Sequence, residues 1–491
     1  MYGSTGRGEG EAVAEEVAQR CVGFLAPLLE GLDRAIDARL VRTLGASVVA
    51  VVRHRSRSVA LLLSELGGYL TGPEHAPAGT KRLANLIHSS KWRAEVVEDY
   101  LLEQGREQVE REAGKAPEGK VLCILDGSVA EKAESAVLEG LCPVRSSKAR
   151  RLSRPRPKLG KGYYHGPPSG PIVVPGFKWT NILLAPWTCH YQRPPLTLGA
   201  WHWYAKPFPP DPITGEVPVV VEEDVPRQKD WEAQKEVLER VVGELGKDRL
   251  LHVWDRGMSG AGWLGEALDA KWQFVVRWKK GNHLRPSSAP SVGNPYASNA
   301  QRERDGVAAW RLTAGLKLWG RREVSSPRNP KQPMQVSFAA RPVRLLYRED
   351  PLWLVLARRG KGQRRRGGQE PWRLLTNLPV QTEAQCWRIV EAYMARWQVE
   401  QSLRYGKSEL GVESVRVRRW EHRHKLLALV SLAYAFLLHL LGDSSSSLLT
   451  AVLRFAHRTG RQAQAWRPLY RLRAALAHLW HNYTPNLQGF P

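Results

Sequence analysis

The sequence predicts a mixed α/β protein: a helical N-terminal region, a central sheet broken by a β-rich insertion, and a helical C-terminal region. Three observations lead there. Apolar residues recur at three- and four-residue spacing over about residues 10–115 and again after Thr382. Two short apolar runs, KVLCILDGS (120–128) and RLLHVWDRG (249–257), each end in an acid, which is the pattern of buried strands carrying a carboxylate out of a sheet. Between 281 and 378, strand-like pieces alternate with basic turns.

Taken in order, residues 1–115 read as an all-α domain. EAVAEEVAQRCVGFLAPLLEGLDRAIDARLVRTLG is helix-periodic, SVALLLSELGGYL ends before the breakers Gly72 and Pro73, and APAGTKRLANLIHSSKW opens a further basic helix. Short helices joined by tight turns, with Lys81, Arg82, Lys91 and Arg93, suit either a helix-turn-helix-like DNA reader or an ordinary bundle. Residues 116–280 form the first part of the core: the strand ending at Asp126-Gly127, the strand-like PIVVPG, WTNILLAPW and LGAWHWYAKPF, a helix from Trp231 to about Leu245, the strand before Asp255, a short helix AGWLGEALDA and the strand WQFVVRWK. Residues 281–378 read as the β-rich insertion, with a polar loop at 282–301 and a flexible arginine loop at 360–369. Residues 379–425 return to the core through a helix reaching about Lys407, and 426–491 are helical.

Composition narrows the function. Against 48 Asp and Glu stand 73 Lys and Arg, a formal charge of +25, while 43% of residues are apolar. The chain is therefore globular and strongly cationic, which points to a polyanion as partner. Between Gly140 and Pro210 there is no acid at all, yet that stretch holds Arg145, Lys148, Arg150, Arg151, Arg154, Arg156, Lys158, Lys161, Lys178, Arg193 and Lys206. The runs KARRLSRPRPKLGK (148–161) and RVRRWEHRHK (416–425) suit a DNA backbone. The start of the chain lacks the pattern of a secretory signal, and the most apolar run, 426–441, is shorter than the roughly 18–20 residues of a spanning helix and contains His439. It reads as a core helix, and no membrane partner is expected. The five cysteines form no CxxC pair, which argues against a zinc finger or a disulfide framework and favours a reducing cytoplasm.

Three acids stand out by position: Asp126 and Asp255 after strands, and Glu400 on a later helix. Carboxylates brought together from separate elements are what a two-metal phosphoryl-transfer site requires, because Mg2+ takes hard oxygen ligands. On the helix, Tyr393, Arg396, Glu400, Arg404 and Lys407 fall on one narrow face at about 100° per residue, beside an apolar face of Ala392, Val399, Leu403 and Leu410. Such a stripe either serves metal and phosphate or is a solvated face of ion pairs four residues apart.

The spacing Y-x2-R-x3-E-x6-K over residues 393–407 resembles the signature of DDE-class insertion-sequence transposases, the insertion-sequence-four superfamily. LDGS at 125–128 is similar to that family's first-acid motif and VWDRG at 253–257 to its second, so the resemblance covers most of 115–425. An aromatic often follows the second motif closely in that family; here the nearest is Trp263. The resemblance implies an RNase H-like catalytic core with the insertion between the second Asp and the Glu. It implies that Asp126, Asp255 and Glu400 bind two Mg2+ ions, with Mn2+ able to replace them, and that Tyr393, Arg396 and Lys407 hold DNA phosphates. Arg404 joins them by its place on the stripe. The implied activity is cleavage at transposon ends followed by strand transfer into target DNA, on double-stranded DNA, by a homodimer that pairs two ends. Some relatives stack a flipped base on an insertion tryptophan, for which Trp310, Trp319, Trp353 and Trp372 are candidates. The alternatives are a transposase-derived, sequence-specific DNA-binding protein without catalysis, and an RNase H-like nuclease acting on other nucleic acids.

Overall fold

The structure, a computed structural model, describes residues 5–54, 61–132, 135, 138–146, 173–188, 195–206, 225, 227–289, 298–325, 333–360, 370–442, 447–456 and 468–484. The basic run at 148–161, Arg193 and the arginines of the 360–369 loop lie outside the described residues.

Five helices come first: α1 (Thr5–Asp33), α2 (Ala38–His54), α3 (Leu63–Thr71), α4 (Ala76–His88) and α5 (Glu95–Ala113). The α3–α4 pair is joined by four residues, with Gly72 at φ +89° supplying the bend. The two helices touch through glycines: a methyl group on Gly79 would sit 2.0 Å from the Gly67 carbonyl oxygen. The exposed side of α4 carries Lys81, Arg82, Asn85 and His88.

The strands β1 (Val121–Glu131), β2 (Cys142–Arg145), β3 (Val173–Ala185) and β4 (Thr197–Tyr204) follow. Then come α6 (Asp230–Leu245), β5 (Leu250–Trp254), α7 (Ala261–Asp269) and β6 (Phe274–Arg277). Strands β1, β3 and β4 are antiparallel neighbours, whereas β1, β5 and β6 run parallel, giving the order β4-β3-β1-β5-β6. The helices α6 and α7 make the crossovers to the parallel strands. This is the strand order and direction expected of an RNase H-like core. One expectation fails locally. The strand read as stopping at Asp126-Gly127 continues to Glu131, because β3 is long enough to pair it throughout, from Leu122↔Ala185 to Glu131↔Gly176. A local Asp-Gly turn signal is overridden by the ladder of a partner about fifty residues away.

Residues 281–378 contain β7 (His283–Pro286), α8 (Asn299–Asp305), β8 (Val307–Ala308), α9 (Ala309–Leu312), β9 (Gly320–Ser325), β10 (Pro333–Arg344), β11 (Leu352–Arg359) and β12 (Trp372–Thr376). They do not make a sheet of their own. Strand β12 pairs antiparallel with β6, Leu375 opposite Val276, so that β12, β11 and β10, with β7, β8 and β9 beyond them, extend the core sheet to twelve strands.

The chain ends in α10 (Glu383–Ala395), α11 (Trp397–Ser408), α12 (Trp420–Gly442), α13 (Ser447–Arg454) and α14 (Pro468–Asn482). Period-two alternation splits the sheet's side chains. Val121, Cys123 and Leu125 pack with α5, α6 and α7, while Leu122 and Ile124 face the side of α10, α11 and α12. The N-terminal and C-terminal helices, read from sequence as separate regions, share one core. Phe24 packs 5.8 Å from Phe436, and the Trp480 indole donates to the Ala14 carbonyl at 3.2 Å. Helix α12, at 23 residues, is apolar and long enough to cross a membrane, but most of it is buried within the protein, against α2, α5 and α14 among others.

Candidate active site

The two aspartates become neighbours through the parallel pairing of β1 and β5. Ile124 is opposite Val253, and each acid lies two residues further on, Asp126 within β1 and Asp255 just past β5. Adjacent strands are about 4.8 Å apart, so the two carboxylates rise side by side at the same level of the sheet. Alternation sends Asp126 to the face of Leu122 and Ile124, the one that α10 and α11 cover. Asp255 caps a turn of 3-10 helix, accepting from the Gly257 N–H at 2.6 Å, and Asp126 accepts from the Gly127 N–H at 2.9 Å.

The third acid comes from above the sheet. The single helix read from Thr382 to Lys407 is two: α10 and α11 meet at Arg396, where the backbone tightens to three-residue bonds, Arg396 N–H to Tyr393 and Val399 N–H to Arg396. Tight turns inside helices mark hinges or strained sites. This one carries the centre of the cluster. The Arg396 guanidinium donates to Asp126 at 3.1 Å and also pairs with Glu400, one turn along on α11.

The electrostatics follow from that placement. Burial pushes the Asp126 carboxyl up to about 6; Arg396 pulls it down, Asp255 and Glu400 push it up, and the Gly127 N–H pulls it down. Burial would lower Arg396, but Tyr393, Asp126, Glu400 and Asp255 together hold it above its ordinary value, so the guanidinium stays charged. Three carboxylates therefore sense one another around a single buried cation. Among the described residues, no group of three His, Cys, Asp or Glu side chains stands ready-made for a metal ion. The donor set, carboxylate oxygens without thiol or imidazole, fits Mg2+, but here Arg396 supplies the positive charge.

The remaining residues of the stripe separate. Arg404 is exposed on α11. Lys407 closes the last turn of α11 and reaches back to β1, donating to the Val129 carbonyl and pairing with Glu413 at 2.9 Å. Tyr393, read as a phosphate contact, is only 5% exposed: its ring meets Trp372 edge-on at 5.1 Å and burial raises its hydroxyl. The positive charge of Arg277, at the end of β6, acts on that hydroxyl and partly offsets the effect of burial.

Arg277 is the residue the sequence reading missed. It ends β6, next to the strand that delivers Asp255, and Lys279 and Lys280 follow it exposed on the surface. The signal was present in the run RWKK at the end of a predicted strand, but nothing local says that this strand borders the acids. Of the four candidate tryptophans, Trp372 is buried and Trp319 and Trp353 are half-buried, whereas Trp310 is 47% exposed. The Trp310 backbone N–H bonds the Lys280 carbonyl, so this exposed residue lies beside the same basic strand end.

The comparisons agree with this geometry. Residues 232–436 match a family model described as the transposase DDE domain, a span that contains Asp255, Arg277, Arg396, Glu400 and Lys407 and begins after Asp126. The match supports a DDE transposase. No curated protein matches the sequence.

Proposed function

We propose that the protein is a cut-and-paste DNA transposase of the insertion-sequence-four group that cleaves DNA at element ends and joins the freed 3′-OH to target DNA with divalent metal ions. One observation carries the reading: Arg396, buried where α10 meets α11, pairs with Asp126 on β1 and with Glu400 on α11, while Asp255 lies just past β5, the strand next to Asp126. The match of residues 232–436 to the transposase DDE domain supports it independently.

Asp126, Asp255 and Glu400 would hold two Mg2+ ions, or Mn2+ in their place. When bound, such ions activate the attacking oxygen and stabilise the leaving one. Arg396, Arg277, Arg404 and Lys407 would hold the DNA backbone alongside, with Tyr393 orienting Arg277 from behind. Trp310, beside Lys280, is the indole best placed to stack an extruded base, since it is exposed and the other three are not. The glycine-locked pair α3–α4, showing Lys81, Arg82 and Asn85, would read the element end, and a homodimer would pair two ends. The described cysteines, Cys21, Cys123, Cys142 and Cys386, are free and buried, which suits work in the cytoplasm.

The test is Mg2+-dependent nicking of a duplex that carries the inverted repeat found beside the gene. Asp126→Ala, Asp255→Ala and Glu400→Ala should each abolish nicking and leave binding of that duplex nearly unchanged. Residual nicking by any one of them removes that acid from the site. A wild-type protein that binds the repeat but never nicks it would be a DNA-binding derivative without catalysis. Cleavage of RNA–DNA hybrids in preference to the repeat would indicate a nuclease.

A further inference from the structure

Lys407 lies seven residues beyond Glu400, about 10 Å along the axis of α11. Its ammonium is held in three ways: it donates to the Val129 carbonyl, it sits 5.0 Å from the centre of the Trp179 ring, and it pairs with the Glu413 carboxylate at 2.9 Å. Both charged side chains are largely covered, 27% exposed for the lysine and 20% for the glutamate. Glu413 arrives on a 3-10 turn, Val412–Ser414, after Gly411 reverses the chain at φ +71°. That turn is pinned. The Lys132 ammonium donates to the Glu413 and Val415 carbonyls, and the Ser414 hydroxyl bonds the Gly411 carbonyl at 2.7 Å and receives the Leu61 N–H at 2.9 Å.

We propose that Glu413 stands in for a DNA phosphate at Lys407 in the DNA-free protein, so that DNA takes Lys407 only by displacing this carboxylate. The inference rests on the reading that Lys407 contacts the DNA backbone. A carboxylate and a phosphate offer an ammonium the same charge-assisted hydrogen bond. An ammonium has three donors, so the bond to Val129 and the contact with Trp179 can persist while the acid is exchanged for a phosphate. The turn is pinned in place, so the ion pair with Glu413 must break before a phosphate can take its position on Lys407. Its effect is to make Lys407 unavailable to any duplex not already held by other contacts, which is discrimination by an opposing charge.

The experiment measures binding of a short fluorescein-labelled duplex by anisotropy without divalent cation, using the full-length chain as wild type, Glu413→Gln, Lys407→Ala and the double variant. Glu413→Gln, which keeps the side chain's shape, should tighten binding by about five- to tenfold, the range expected when a half-buried opposing charge is removed. Glu413→Asp, which draws the charge back by one methylene, should fall between. In the Lys407→Ala background, Glu413→Gln should change nothing. The latch is overturned if Glu413→Gln leaves affinity unchanged or weaker, or if its gain survives the loss of Lys407. If Lys407→Ala costs nothing even in the Glu413→Gln background, the phosphate reading of Lys407 itself falls, and the latch with it. Thermal midpoints of the four proteins identify any variant that has not folded.

Discussion

Asp126→Asn should make the DNA-free protein more stable and catalytically dead at once. The folded carboxyl sits near 6, against an ordinary value of about 3.8, because burial and two neighbouring carboxylates outweigh Arg396. A raised acid pKa means that the folded state holds the proton more tightly than the unfolded state, so stability falls as pH rises from about 4 to about 6 and is level above that. Integrating between those two values, the ionised carboxyl costs the fold on the order of 2 kcal/mol at pH 5 and 3 kcal/mol at pH 8. Asparagine resembles the protonated acid and escapes that cost. Urea unfolding of both proteins across this range should show the variant ahead, with a lead that widens by roughly 1 kcal/mol from pH 5 to pH 8. Saturating Mg2+ should narrow the lead at pH 8 by stabilising the wild type alone. A variant less stable than wild type at pH 8, or a lead independent of pH, would refute the picture of three carboxylates crowded around one cation.

Further tests address other parts of the molecule. His252 is buried between Trp254 and Trp272 with both ring nitrogens unpaired, and burial pushes it down to about 3. Its folded value is depressed, so stability present above about 6.5 is lost as pH falls. His252→Leu should remove about 2 kcal/mol of acid sensitivity by pH 5, measured by urea midpoints. The Arg473–Glu409 pair, at 3.0 Å, is almost fully buried; Glu409→Ala should cost about 3–5 kcal/mol by removing one partner of a buried ion pair, again read from unfolding curves. Gly79→Ala should force α3 and α4 apart at a cost of about 1–3 kcal/mol and weaken binding to the inverted-repeat duplex more than to an unrelated one. Equal weakening on both duplexes would remove this helix pair from sequence reading.

The candidate site is legible in the sequence because its parts are carried by local patterns. An apolar run ending in an acid marks Asp126 and Asp255, and Tyr393, Arg396, Glu400 and Lys407 repeat at helical spacing. What was not legible depends on pairing across long distances. The continuation of β1 past Asp126 comes from β3, and the joining of β12 to β6 turns a presumed separate insertion into an extension of the core sheet. That joining also places Arg277 beside Tyr393, which no window of sequence around RWKK contains. The break at Arg396 has no proline or glycine to announce it; every residue from Glu391 to Gln401 is compatible with uninterrupted helix.

The bond from the Trp480 indole to the Ala14 carbonyl joins residues 466 apart in sequence. A ribosome adding about 5–20 residues per second needs roughly 25–90 seconds to travel that distance. Throughout that interval α1 lacks the helix that completes its packing, and for most of it Phe24 also lacks Phe436 and His439 of α12. The nascent chain should therefore depend on chaperones until α14 is made. A truncated product would lack a finished N-terminal bundle, so translation that stops before α14 should yield material cleared by proteolysis and not a folded fragment.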